Sequence, residues 1–187
     1  MFGFFKKRIH ESLALQAQDV VEQSPLIARI ILQGINCDKL PKGKGEFGTI
    51  TNPIPVNSAI GEIKYLAKLR GKTGYPLFFH RIASLHSEVC EHSLDVYEVV
   101  CVDGTQWNDL YFDMYHPRRS NIAPTGYTLK PLDKKLKFDI PIGFGVNGHL
   151  HNFPLDIPSA IIDLYGSKVF AKKADGFLAA NDFKRKK

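Results

Sequence analysis

The sequence predicts an α+β fold, with N-terminal helices packed on a mainly antiparallel sheet of roughly four to six strands. Three observations carry that expectation. Apolar residues recur at helical spacing as far as Arg70. The spacing becomes alternating after the turn Gly71-Lys72-Thr73-Gly74, and Asp103-Gly104 separates two alternating runs as a hairpin signal.

Taken in order, Phe5, Ile9, Leu13, Ala17 and Val20 or Val21 form one apolar stripe of a first helix. Ser24-Pro25 starts a second, since serine caps and proline tolerates the first turn; Leu26, Ile27, Ile30 and Ile31 form its face and Gly34 ends it. Residues 37–57 are rich in Lys, Gly and Pro and are expected to be an irregular connection. A third helix is expected over 58–70, capped by Asn57 or Ser58, with Ile60, Ile63, Leu66, Ala67 and Arg70 on one stripe. Strands follow at Pro76–Ser84, Leu94–Val102 and Gln106–His116, with shorter ones at Tyr127–Leu129 and Leu136–Ile140, completing a β core over 76–140. The segment 141–187 holds a short helix at Ile157–Tyr165, with Asp156 as cap and Pro158 in its first turn, and a basic tail.

The 187 residues suit one domain. Their 44% apolar and 24% charged content is that of a globular chain, and 13 Phe and 7 Tyr supply large side chains to bury. Cys37, Cys90 and Cys101 are odd in number and widely spaced, which argues against a disulfide framework and for free thiols in a reducing cytoplasm. Met1-Phe-Gly-Phe-Phe-Lys-Lys-Arg8 lacks the long apolar run of a secretory signal, and no stretch reaches the ~20 apolar residues of a membrane span. The net charge of +6 favours anionic partners, although part of the excess sits in Lys6-Lys7-Arg8 and Lys184-Arg185-Lys186-Lys187. Solvated ends are the simpler reading of those runs; attachment to nucleic acid, or to a membrane surface through Phe2, Phe4 and Phe5, uses the same residues.

The string Gly43-Lys-Gly-Glu-Phe-Gly-Thr-Ile50 resembles the glycine loop of protein kinases, with Ile63-Lys64 near the place of that family's phosphate-pairing lysine. The other kinase motifs are not matched: His80-Arg81 is followed by Ile82, Asp-Phe-Gly is missing, and 187 residues cannot hold both lobes. Nor does the string sit between a strand and a helix as a dinucleotide fingerprint must, so it reads as a surface loop. His86, Cys90 and His92 are weak metal ligands in search of a fourth, from Cys101 or His80, at a spacing of no standard finger. His149 and His151 share one side of an extended segment without an acidic or thiol partner nearby.

The hairpin is more informative. A two-residue turn at Asp103-Gly104 sets Glu98 opposite Asp109, Val100 opposite Trp107 and Val96 opposite Tyr111. Facing carboxylates repel, and a raised pKa, a cation or an arginine would offset that. Asp113 continues the face toward His116, Arg118 and Arg119, where an anion could be held or a proton moved, or where a structural ion-pair network could form. Tyr97, Val99, Leu110, Phe112 and Met114 face one way and Val96, Val100, Trp107 and Tyr111 the other, so both sides require cover.

The expectation is therefore a non-catalytic cytosolic binding or interaction protein, with a polar cleft at Glu98, Asp109, Asp113, His116, Arg118 and Arg119. Its partner would be a protein or a small anionic ligand, and a homo-oligomer is compatible with it. The alternative is a small enzyme for a phosphorylated or nucleotide-like substrate, with Glu98 and Asp109 as acid/base pair or metal ligands, His116 as proton carrier and the arginines as anion clamp. The sequence specifies no cofactor.

Overall fold

The computed structural model describes residues 38–130 and 153–181. The helices expected over 1–36, the strand Leu136–Ile140, His149, His151 and both basic ends lie outside these residues. Along the described chain come β1 (Ile54–Pro55), α1 (Ser58–Lys68), β2 (Leu69–Arg70), β3 (Leu77–Leu85), β4 (Leu94–Cys101), β5 (Trp107–Asp113), β6 (Thr128–Leu129), α2 (Ile157–Tyr165) and α3 (Lys168–Asn181).

The main sheet runs β1-β5-β4-β3, and β2 pairs with β6 in a second, two-stranded sheet. β3–β4 and β4–β5 are antiparallel, whereas β1 lies parallel to β5, with Ile54 opposite Phe112. β4, Leu-Asp-Val-Tyr-Glu-Val-Val-Cys, is rich in β-branched and aromatic residues and is buried at every position. The hairpin register is the one expected: Glu98 faces Asp109, Val100 faces Trp107 and Val96 faces Tyr111.

The turn itself differs. Cys101 N–H donates to Gln106 O at 2.9 Å and Gly104 N–H to Cys101 O at 2.8 Å, so the connection is 102–105 rather than two residues. The Asp103 side chain accepts from Thr105 N–H at 3.2 Å and from its hydroxyl at 2.7 Å, a local bond that holds such a loop. The loop lengthens by one residue on each side, so the pairing survives. On the other edge a bulge between Arg81 and Ala83 leaves Ile82 exposed.

Both faces of the sheet are covered. On one, Tyr65, Leu66 and Leu69 pack with Phe79, Tyr97, Val99, Leu110 and Phe112. Tyr65 and Tyr97 each meet the Phe112 ring edge-on, at 5.7 and 5.4 Å. On the other, Phe78, Val100 and Val102 pack beneath Ile157, Ile161, Ala174 and Leu178 of α2 and α3. The expected placement of helices is thus corrected: two of the three described helices are C-terminal and roof the second face, because that face carries apolar side chains that α1 cannot reach. The described part of the expected connection, 38–57, is also more than irregular, since Ile54 and Val56 are fully buried and Pro55 sits in an edge strand, where its missing N–H does no harm. Finally, α1 ends at Lys68 because the next two residues are drawn into pairing with β6.

Two glycines on the second face make a test. A Cβ at Gly104 would stand 2.6 Å from the Ala174 Cα, and φ there is +73°, whereas Gly176 in α3 has open space around it. Gly104→Ala is expected to cost about 1–3 kcal/mol by overpacking and strain, and Gly176→Ala to add about 0.5–1 kcal/mol through helix propensity. Urea unfolding of the two variants should therefore move in opposite directions.

Candidate functional site

Basic side chains from three separate stretches meet in one cleft of about 290 Å³, lined by Lys68, Arg118, Arg119, Ser120, Asn121 and Lys130. Its apolar surface comes from Tyr65 and Leu129. The β2–β6 register sets Leu69 opposite Leu129, and one step on, Lys130 N–H donates to Lys68 O at 2.9 Å, so the two lysines stand across from each other.

The arginines arrive on the loop that follows β5. Asn57 does not cap α1; its amide donates to Pro117 O at 2.7 Å and so ties the loop to the start of the helix. His116 N–H donates to Val56 O and Ser120 N–H to Pro55 O, at 3.2 and 2.9 Å, hanging the same loop on the sheet edge. Arg119 crosses the helix at Gly61, where an added Cβ would stand in van der Waals contact with the Arg119 Cγ at 3.4 Å. Tyr65 OH donates to Ile122 O at 2.5 Å and fixes the far end.

The expected cleft residues divide between several places. Glu98 and Asp109 are cross-strand neighbours on the face roofed by the C-terminal helices, away from the cationic cleft. Glu98 is buried and its Oε1 accepts from the Trp107 indole at 2.6 Å. Asp109 lines a second, smaller cleft with Glu46 beside the glycine string, and desolvation there raises its pKa. Asp113 is buried and accepts from Tyr115 N–H at 3.1 Å, closing the turn that starts the arginine loop. His116 is half-buried with Nδ1 3.3 Å from Arg118 O; desolvation lowers its pKa. Arg118 and Arg119 alone of the six line the cationic cleft.

Among the described residues the histidines and cysteines do not assemble. Cys90 Sγ donates to His92 O at 3.0 Å, and burial holds its pKa up; the His92 ring meets Tyr115 at 4.2 Å and His86 is exposed. Cys101 is buried and His80 stacks on Phe153 at 5.4 Å, so no three metal-ligating side chains converge among the described residues. In the glycine string Lys44 N–H donates to Thr51 O and Gly48 N–H to Asn52 O, both at 2.8 Å, while Phe47 is buried in the core.

One polar cluster escapes the sequence reading. Glu62 on α1 is fully buried, and its Oε2 accepts from Tyr97 OH at 2.9 Å. The buried Oε1 of Glu62 and Oδ2 of Asp95 have no ordinary donor among the described residues, yet the two carboxyls are hydrogen-bond neighbours. A single proton on Glu62, donated to Asp95, satisfies both. Desolvation first, and then the Asp95 charge, push Glu62 up to about 8, against the opposing pull of Tyr97 and Arg81. The other Asp95 oxygen takes Arg81 and the Ser84 hydroxyl. The periodicity of α1 had put Ile60 and Ile63 on the inner stripe, but they are only partly buried, and Glu62, Tyr65 and Leu66 are the innermost side chains.

Comparison with protein-family models, curated proteins and solved structures finds no match to this chain. No helix among the described residues is long and apolar enough to cross a membrane.

Because Glu62 binds its proton more tightly in the folded protein than at its ordinary value of 4.5, its contribution to stability is fully present at acid pH. It should fall as pH rises from about 4.5 to about 8 and then level off. Glu62→Gln keeps an acceptor for Tyr97 and a donor for Asp95, and is expected to flatten this slope. Urea midpoints of the two proteins compared at each pH cancel other titrations, such as that of His116.

Proposed function

We propose that the protein binds a small phosphorylated ligand in the cleft between α1, β6 and the arginine loop, without turning it over. The observation that carries this reading is the convergence of Lys68, Arg118, Arg119 and Lys130 on one concave surface, with the two lysines opposed across a ladder. Four cations in a recess with partly apolar walls focus a positive field, and guanidinium pairs match the oxygens of phosphate. The Ser120 and Asn121 side of the cleft adds neutral polar groups of the kind that orient such a ligand.

This reading keeps the arginine half of the site expected from the sequence and replaces its acidic half. Binding without turnover is favoured because no carboxylate or imidazole lines the described cleft, and Glu98 and Asp109 are carried on the opposite side of the sheet. A volume of about 290 Å³ suits a compact anion rather than a long polymer.

The test is titration of the protein with pyrophosphate at low salt, followed by calorimetry. Binding should weaken steeply as salt is added. Replacing Lys68 and Lys130 together by Gln should lower affinity about tenfold or more, since hydrogen bonds to charged groups are the strong ones. Absence of binding by the unaltered protein would remove the proposal.

A further inference from the structure

Among the described residues, the acidic Asp38 touches the wall of the cleft without lining it. Asp38 Oδ1 accepts from Asn121 N–H at 2.8 Å and lies 3.6 Å from an Arg118 guanidinium nitrogen, and Asp38 O accepts from the Ser120 hydroxyl at 2.8 Å. Three wall residues therefore touch one aspartate. The contact with Arg118 is long for a charge-assisted bond, and both side chains are 30% exposed, so it is a weak, water-screened pair. The carboxylate is nevertheless fixed, because the Asn121 amide holds it and the Ser120 hydroxyl holds its backbone. The Arg118 Nε is buried and has no hydrogen-bond partner among the described residues, so Asp38 leaves part of the guanidinium unused.

Resting on the anion-binding reading, we propose that Asp38 is a built-in counter-anion, which the cleft exchanges for a multiply charged ligand at Arg118. A monoanion reaching Arg118 merely replaces one negative charge by another and must also face the fixed carboxylate. A ligand with two or more charges takes Arg118 while also engaging Arg119 and the paired lysines. Asp38 thus lowers the affinity for every anion, so that a ligand held by Arg118 alone gains little from the exchange while one that also engages Arg119 and the lysines still binds. The ligand class this selects is a phosphomonoester dianion or a pyrophosphate rather than a carboxylate or a phosphodiester.

Asp38→Asn tests the idea, because the amide oxygen of Asn still accepts from Asn121 N–H and the backbone bond to Ser120 is untouched. Pyrophosphate and acetate are titrated into the unaltered protein and the variant at low and high salt. The variant is expected to bind pyrophosphate about three- to fivefold more tightly at low salt, the factor that removing an exposed charge of ~0.5–1 kcal/mol gives. That gain should shrink at high salt and should be smaller for acetate, because the repulsion removed scales with the charge of the ligand. Pyrophosphate binding by the unaltered protein, with equal or weaker binding by the variant, would overturn the role of Asp38 and leave the cleft reading standing. Binding by the variant alone would show that the unaltered cleft does not exchange Asp38 for a ligand and overturns both readings, as does binding by neither.

Discussion

β4 has no exposed residue, and the rest of the architecture follows from that burial. A strand at the centre of a sheet that hides its side chains in both directions requires a cover on each side. Tyr97 and Val99 demand α1 and the Phe112 cluster, while Val100 demands α2 and α3. The polar members of the strand must find partners inside the protein, since water does not reach them. Glu98 takes the Trp107 indole, and Asp95 takes Arg81, Ser84 and the Glu62 proton. Two acids on one central strand therefore account for the most constrained polar contacts in the molecule.

The cationic cleft is a secondary product of the same arrangement. Once β1 pairs beside β5, its carbonyls and that of Val56 stand where the arginine loop can hang on them, and the loop is pulled across the start of α1. The end of α1 passes directly into β2, whose pairing with β6 brings up the lysines. Charge is thereby gathered by backbone hydrogen bonds, with the side chains following. This explains how groups of like sign are held close: the ladder and loop bonds fix the backbone that carries them.

Much of the β core can be seen in the sequence, since alternation locates β3, β4 and β5 and the Asp103-Gly104 signal sets the register. The turn type was misread without harm, because moving one residue from each arm into the loop leaves the remaining pairs in register. What was hidden has physical reasons. Ile54-Pro55 is too short to show a period, and proline argues against a strand unless its place at the edge is known. Glu62 is hidden because a helical stripe is sought among apolar residues, whereas a protonated acid with two partners packs as a neutral group. In the site, the arginines stood out as a pair, but Lys68 and Lys130 are ordinary surface lysines until the two-residue ladder of β2 and β6 places them together. Glu98 and Asp109 were placed correctly as neighbours, but Trp107, the cross-strand partner of Val100, reaches diagonally to Glu98 and takes up its carboxylate.

The ladder between β2 and β6 has a mechanical consequence. It is two residues long, shorter than any strand that stands by cooperative pairing alone, and it is the element that carries Lys130. An anion bridging Lys68, Lys130 and the arginine loop would act as a clasp joining segments that are distant along the chain. Occupancy of the cleft would then be felt as stiffness of the polypeptide, with amide exchange and protease nicking around residues 118–130 slowing as the site fills.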